Sequence, residues 1–160
     1  MVVTFCGHRD CPNEVLPGLR QVLEKLIQDK DATKFYVGNE GHFDCMVQTV
    51  LRQLQSRYPY ICYEVVLAYL PAGDREQRTD NTLLTLYPEE LDTVPKRYAI
   101  SHRNRWLVDH ADCLVSYIEH DWGGAAKMYQ RALNKGLTVI NLGKNEQMKD
   151  RNSASIEDDS

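Results

Sequence analysis

Apolar residues in this chain alternate between two spacings. Val2-Val3-Thr4-Phe5-Cys6 is a short, almost wholly apolar run that breaks at Gly7, which predicts a strand covered on both faces. From Asn13 the positions Val15, Leu16, Leu19, Val22, Leu23, Leu26 and Ile27 recur at helical spacing, with Asn13 placed to cap and Pro17 early enough to be tolerated. Phe35-Tyr36-Val37 predicts a second strand ending at Gly38, and Val47, Val50, Leu51 and Leu54 mark the buried stripe of a second helix that stops before Pro59. Tyr60 to Leu70 reads as a third strand. A short helix from about Ile100 to His110 and a fourth strand from Cys113 to Ile118 follow. Gly123-Gly124 then opens a helix carrying Ala125, Met128, Tyr129, Ala132 and Leu133. It closes at Gly136, before a fifth strand from Leu137 to Leu142.

Strands alternating with helices imply α/β architecture, a Rossmann-like doubly wound parallel sheet of about five strands with helices on both faces. One domain over residues 1–143 is expected, with residues 144–160 a polar, disordered tail. The stretch from Ala72 to Pro95 has little periodicity and is long for a connection, which suits a lid over the site. In such sheets ligands bind at the carboxyl ends of the strands, where the winding reverses. With the expected order third, second, first, fourth, fifth, the loops after the first and fourth strands become neighbours.

Composition narrows the function without naming it. Of the 160 residues 42% are hydrophobic and 26% charged, ordinary for a globular protein, and no apolar run has the length of a membrane span. No secretory leader is expected ahead of the first strand. Five cysteines without a Cys-x-x-Cys pair argue against a disulfide framework or zinc ribbon and favour a reducing cytoplasm, with no metal or cofactor expected. A net charge of −4 disfavours a broad face for long nucleic acid. Small anions stay open, because Lys96, Arg97, His102, Arg103 and Arg105 fall within ten residues of one another. A homo-oligomer is neither required nor excluded.

The candidate ligand residues all follow predicted strands or lie in that basic segment. Gly7 permits close backbone approach, and Arg9 offers a planar fork of donors to phosphate beside His8. Gly123 and Gly124 at a helix start expose amide N–H groups and the positive end of the helix dipole. Gly38, Asn39 and Gly41 form a second glycine turn, with Asp44 placed either to cap the helix or to hold ribose hydroxyls. Arg103 and Arg105 supply further positive charge. No nucleophile, base and orienter assemble by spacing among His8, His42, His102, His110 and His120, so the catalytic residues are unknown.

On these motifs the chain resembles the SLOG superfamily, the group that takes in the Smf/DprA DNA-processing proteins and the LOG phosphoribohydrolases. The likeness covers roughly Val2 to Leu142, closest to small bacterial and phage-associated members. It rests on Gly7-His8-Arg9 after the first strand, Phe43-Asp44 after the second-strand loop, Arg103-Asn104 with Trp106, and the Gly123-Gly124 helix opening. The resemblance implies a sensor or binding domain for a nucleotide or nucleotide-derived ligand: a nucleoside phosphate, ADP-ribose or an NAD fragment. LOG enzymes carry Gly-Gly-x-Gly-Thr-x-x-Glu, and here Ala125-Ala126-Lys127-Met128-Tyr129-Gln130 follows Gly124 without the catalytic glutamate. Two alternatives stand beside the binding domain. One is an enzyme cleaving an N-glycosidic bond with Glu40, Asp44 or Glu119 as the carboxylate. The other is a single-stranded DNA module using Lys96, Arg97, Arg103 and Arg105.

Overall fold

The structure, a computed structural model, describes residues 1–70 and 84–143. The expected tail at residues 144–160 and the part of the expected lid at residues 72–83 lie outside the described residues.

Strands and helices alternate as β1 (Val2–Gly7), α1 (Leu16–Asp29), β2 (Lys34–Val37), α2 (His42–Arg57), β3 (Cys62–Val66), β4 (Thr85–Leu86), α3 (Ala99–Asp109), β5 (Cys113–Tyr117), α4 (Gly124–Asn134) and β6 (Thr138–Asn141). Among the described residues the six strands form one sheet in the order β4-β3-β2-β1-β5-β6, every pair parallel. The expected order therefore holds, with β4 added at one edge. A two-residue strand is too short for any period to reveal; β4 exists through pairing, with Val65 and Leu67 donating to Leu84 O and Leu86 O. Beyond it, a 3₁₀ turn at Glu89–Thr93 buries Leu91 and leads towards α3, so residues 84–95 pack as edge structure.

Two cores lie on opposite faces of the sheet. Val3 and Phe5 of β1, Phe35 and Val37 of β2 and Val115 of β5 pack against Leu19, Leu23 and Leu26 of α1 and Val47, Val50 and Leu51 of α2. Cys6 and Leu114 face the other way, against Leu107 of α3 and Met128, Tyr129 and Ala132 of α4. Strand alternation thus sends consecutive residues to different helix layers, which is why these strands read as apolar runs rather than as alternating ones.

One local expectation is corrected. Asn13 does not cap α1: a 3₁₀ turn at Asn13–Val15 precedes the helix, and Asn13 Oδ1 instead meets His42 Nε2 at 2.7 Å. At the other end of the chain Gly136, with φ +79°, ends α4 as its position predicts.

Candidate functional site

β1 lies between β2 and β5, so the sheet reverses its winding at its carboxyl end, and there the loops after β1, β2 and β5 surround a cleft of about 370 Å³. Gly7 pairs in register with Tyr117, and His8 N donates to Tyr117 O at 3.2 Å, so the two central loops leave the sheet side by side. Cys6 Sγ approaches Ala125 O at 3.5 Å, tying β1 to the first turn of α4. Burial raises the Cys6 thiol far above its ordinary range, so it stays protonated and unreactive. Gly7 is glycine for a packing reason: a Cβ there would clash with Cβ, Cγ and Cδ1 of Phe43 on α2.

Two helices begin at this cleft with nearly the same turn. Gly41 before α2 has φ 91° and ψ 177°, and Gly123 before α4 has φ 96° and ψ 173°, a region open essentially to glycine alone. Neither helix start receives a side-chain cap. A Cβ on Gly41 would sit 3.3 Å from Arg9 Cα, whereas one on Gly123 would have nothing within 4 Å. The α2 turn is closed by the β1 loop, and the α4 turn faces open space.

On the α2 side two opposite charges are buried around Gly38. Asp44 is 7% exposed and Arg103 2% exposed, and a Cβ on Gly38 would lie 2.7 Å from Asp44 Oδ2 and 3.3 Å from Arg103 Nη1. Asp44 Oδ2 accepts from Glu40 N at 2.9 Å, so the carboxylate binds the loop before the helix rather than capping the helix itself. Burial pushes Asp44 up to about 6, against the pull of that hydrogen bond and of the Arg103 charge. Arg103 Nη1 donates to Val66 O at 3.1 Å and to Asn39 Oδ1 at 3.2 Å, and Nε donates to Asn104 Oδ1 at 3.1 Å. One guanidinium therefore joins the end of β3, the β2 loop and α3. Ala99, Arg103 and Leu107 occupy one buried stripe of α3 at four-residue spacing, so Arg103 leaves the basic surface its neighbours suggested.

On the α4 side three rings are stacked. His8 lies on His120 at 3.6 Å between centroids, and His120 on Trp122 at 3.7 Å, with interplanar angles of 13° and 16°. His8 Nε2 accepts from the backbone N–H groups of Glu119 at 3.1 Å and His120 at 3.4 Å, which requires that nitrogen to be unprotonated. Burial, then neighbouring His120, lowers the His8 pKa, in keeping with a neutral ring. His8 thus organises the β5 loop rather than presenting a cation.

Gly7, His8, Arg9, Gly38, Asp44, Arg103, Gly123 and Gly124 all line the cleft. Three candidates do not. Asn39 is exposed and accepts from Arg103, Gly41 is exposed beside Arg9, and Arg105 is exposed on α3. Exposed Arg9 makes no hydrogen bond or ion pair among the described residues. Of the carboxylates weighed for catalysis, Asp44 and Glu40 line the cleft and Glu119 does not. His120, weighed from sequence only among the scattered histidines, also lines it, as does Trp122, which escaped sequence reasoning although it directly precedes the glycine pair. No group of three metal-ligating side chains occurs among the described residues, and no described helix is long and apolar enough to cross a membrane.

No family model and no curated protein matches the chain. Among solved structures, the X-ray structure of DNA processing protein A (DprA) from Streptococcus pneumoniae superposes with a TM-score of 0.64 at 16% identity. The match covers 87% of this chain and 49% of that one. The chain spans about half the length of the matched structure, and what the two share is the fold. The superposition and the strand order agree with the expected Rossmann-like α/β domain built on a parallel sheet.

Proposed function

We propose that this cleft binds a nucleotide or nucleotide-derived ligand, its phosphate held by the amides that open α4 and by Arg9, and its sugar hydroxyls by Asp44 or Glu40. The reading is carried by one observation: the uncapped start of α4, where a side chain on Gly123 would meet nothing within 4 Å, opens into the same cleft as Arg9, which makes no hydrogen bond or ion pair among the described residues. Mixed charge on the walls fits a ligand that is anionic at one end and rich in hydroxyls nearby, since a carboxylate accepts from hydroxyls and repels phosphate. A sensor or binding role requires nothing further from the site.

Thermal-shift measurements with AMP, ADP-ribose, NAD and ribose 5-phosphate test it, because a ligand bound only to the folded state raises the melting temperature. The expected result is a concentration-dependent rise that Arg9→Ala reduces. A panel that moves nothing at millimolar concentration overturns the proposal.

A second reading, cleavage of an N-glycosidic bond, is favoured by Asp44 alone, whose carboxyl titrates at about 6 at the floor of the cleft. Chromatographic detection of free base from AMP or NAD, lost in Asp44→Asn, would support it. Absence of base release at saturating ligand removes it and leaves the binding role.

A further inference from the structure

Trp122 is 69% exposed, yet it is held in place. One face of its indole rests on His120, which rests on His8, and His8 is fixed by two backbone N–H groups of the β5 loop. A large aromatic side chain ordered on one face and open on the other loses rotamer freedom without completing a core. The open face belongs to a residue that lines the cleft and stands one position before the α4 glycine turn.

We propose that the outer face of Trp122 is the base platform of the cleft, taking the flat aromatic base of a nucleotide whose phosphate sits at Gly123 and Gly124. This rests on the phosphate-binding reading above. The stack presents a π surface, which every base can meet with its own flat face. Base preference therefore follows stacking strength, purines ahead of pyrimidines, with adenine and guanine nearly equivalent. The His120 ring beneath the indole raises the rigidity of the platform, so fewer degrees of freedom are lost when a base lands on it.

Calorimetric titration of the full chain with AMP, GMP, CMP and ribose 5-phosphate tests the platform. AMP is expected to bind more tightly than ribose 5-phosphate by roughly 5- to 150-fold, the range that stacking on an aromatic side chain supplies. Trp122→Ala is expected to bring AMP down to the affinity of ribose 5-phosphate while leaving ribose 5-phosphate unchanged, and Trp122→Phe to keep most of the AMP advantage. Equal binding of AMP and ribose 5-phosphate by the unaltered chain, or an AMP advantage that survives Trp122→Ala, overturns the platform and leaves the phosphate site standing. If neither ligand binds, the phosphate site falls and the platform with it.

Discussion

The turns that start α2 and α4 have almost the same backbone, φ and ψ of 91° and 177° against 96° and 173°, and opposite surroundings. Arg9 of the β1 loop packs on Gly41, and the chain behind that turn is tied together through Arg103, Asn39 and Asp44. A side chain on Gly123 would meet nothing within 4 Å. The same local geometry is thus used once with a neighbouring loop packed against it and once without. Glycine at a strand-to-helix turn marks a conformation, and only the neighbours decide whether that conformation is structural or functional.

The largest expected effect lies on the closed side. Arg103→Met strands Val66 O, Asn39 and Asn104 and leaves Asp44 without a nearby cation, so denaturant unfolding is expected to show a loss of about 3–5 kcal/mol. A loss below about 1 kcal/mol, the net worth of an ordinary hydrogen bond, would mean that the wall is not organised around this guanidinium.

Next comes the direct contrast between the turns. Gly41→Ala adds crowding against Arg9 to a backbone strain that Gly123→Ala incurs alone. The expected costs are about 3 kcal/mol for the first and about 1–2 kcal/mol for the second. Equal costs would erase the distinction drawn here.

Asp44 supplies a test through pH. Its carboxyl is raised from 3.8 to about 6 in the folded protein, so the native state holds the proton more tightly than the unfolded chain. The sign follows: stability is fullest below pH 4 as far as this group is concerned, and it falls as pH rises through about 6. Asp44→Asn keeps an acceptor for the Glu40 N–H and removes the buried charge. It is expected to stabilise the protein at pH 8 by no more than about 3 kcal/mol, a gain that vanishes near pH 4 in parallel melting curves. A variant less stable than the parent at pH 8 would show that the Arg103 charge needs this carboxylate more than burial opposes it.

Smallest in stability and largest in ligand affinity is Arg9→Ala. Exposed and without partners among the described residues, its side chain is expected to contribute within about 0.5 kcal/mol to folding, while its loss weakens a phosphate-bearing ligand about tenfold. A change in melting temperature of the free protein matching that of Gly41→Ala would move Arg9 to the structural side of the comparison.

Strand order and both helix layers were legible because β1 and β5 are buried on two faces and read as almost wholly apolar runs between helical stretches. What was not legible depended on pairing or on distance in space. The β4 strand has two residues and no period of its own. Arg103 sits in a basic run that looks solvated, although its four-residue spacing from Ala99 and Leu107 already placed it on the buried stripe. Of the cleft-lining candidates His8, Arg9, Gly38 and Gly123 belong to loops that follow a strand, and Gly7, Asp44 and Gly124 lie at the adjoining strand end or helix starts, where fold alone directs attention. His120 stood only among scattered histidines and Trp122 was missed, because the stack that fixes both starts from His8, 112 positions before His120, and leaves no mark on local sequence.

The Phe43 ring occupying the place of a Gly7 side chain joins two distant positions into one choice. Randomising position 7 alone is expected to break the sheet, and trimming the ring at 43 relieves the clash only in part, because the Cβ at 43 would still stand 2.7 Å from that of an Ala at 7, so α2 has to shift as well. Engineering of the first loop therefore has to treat 7 and 43 as a single variable, which also makes the pair a compact handle for tilting α2 against the sheet and reshaping the cleft without touching its charges.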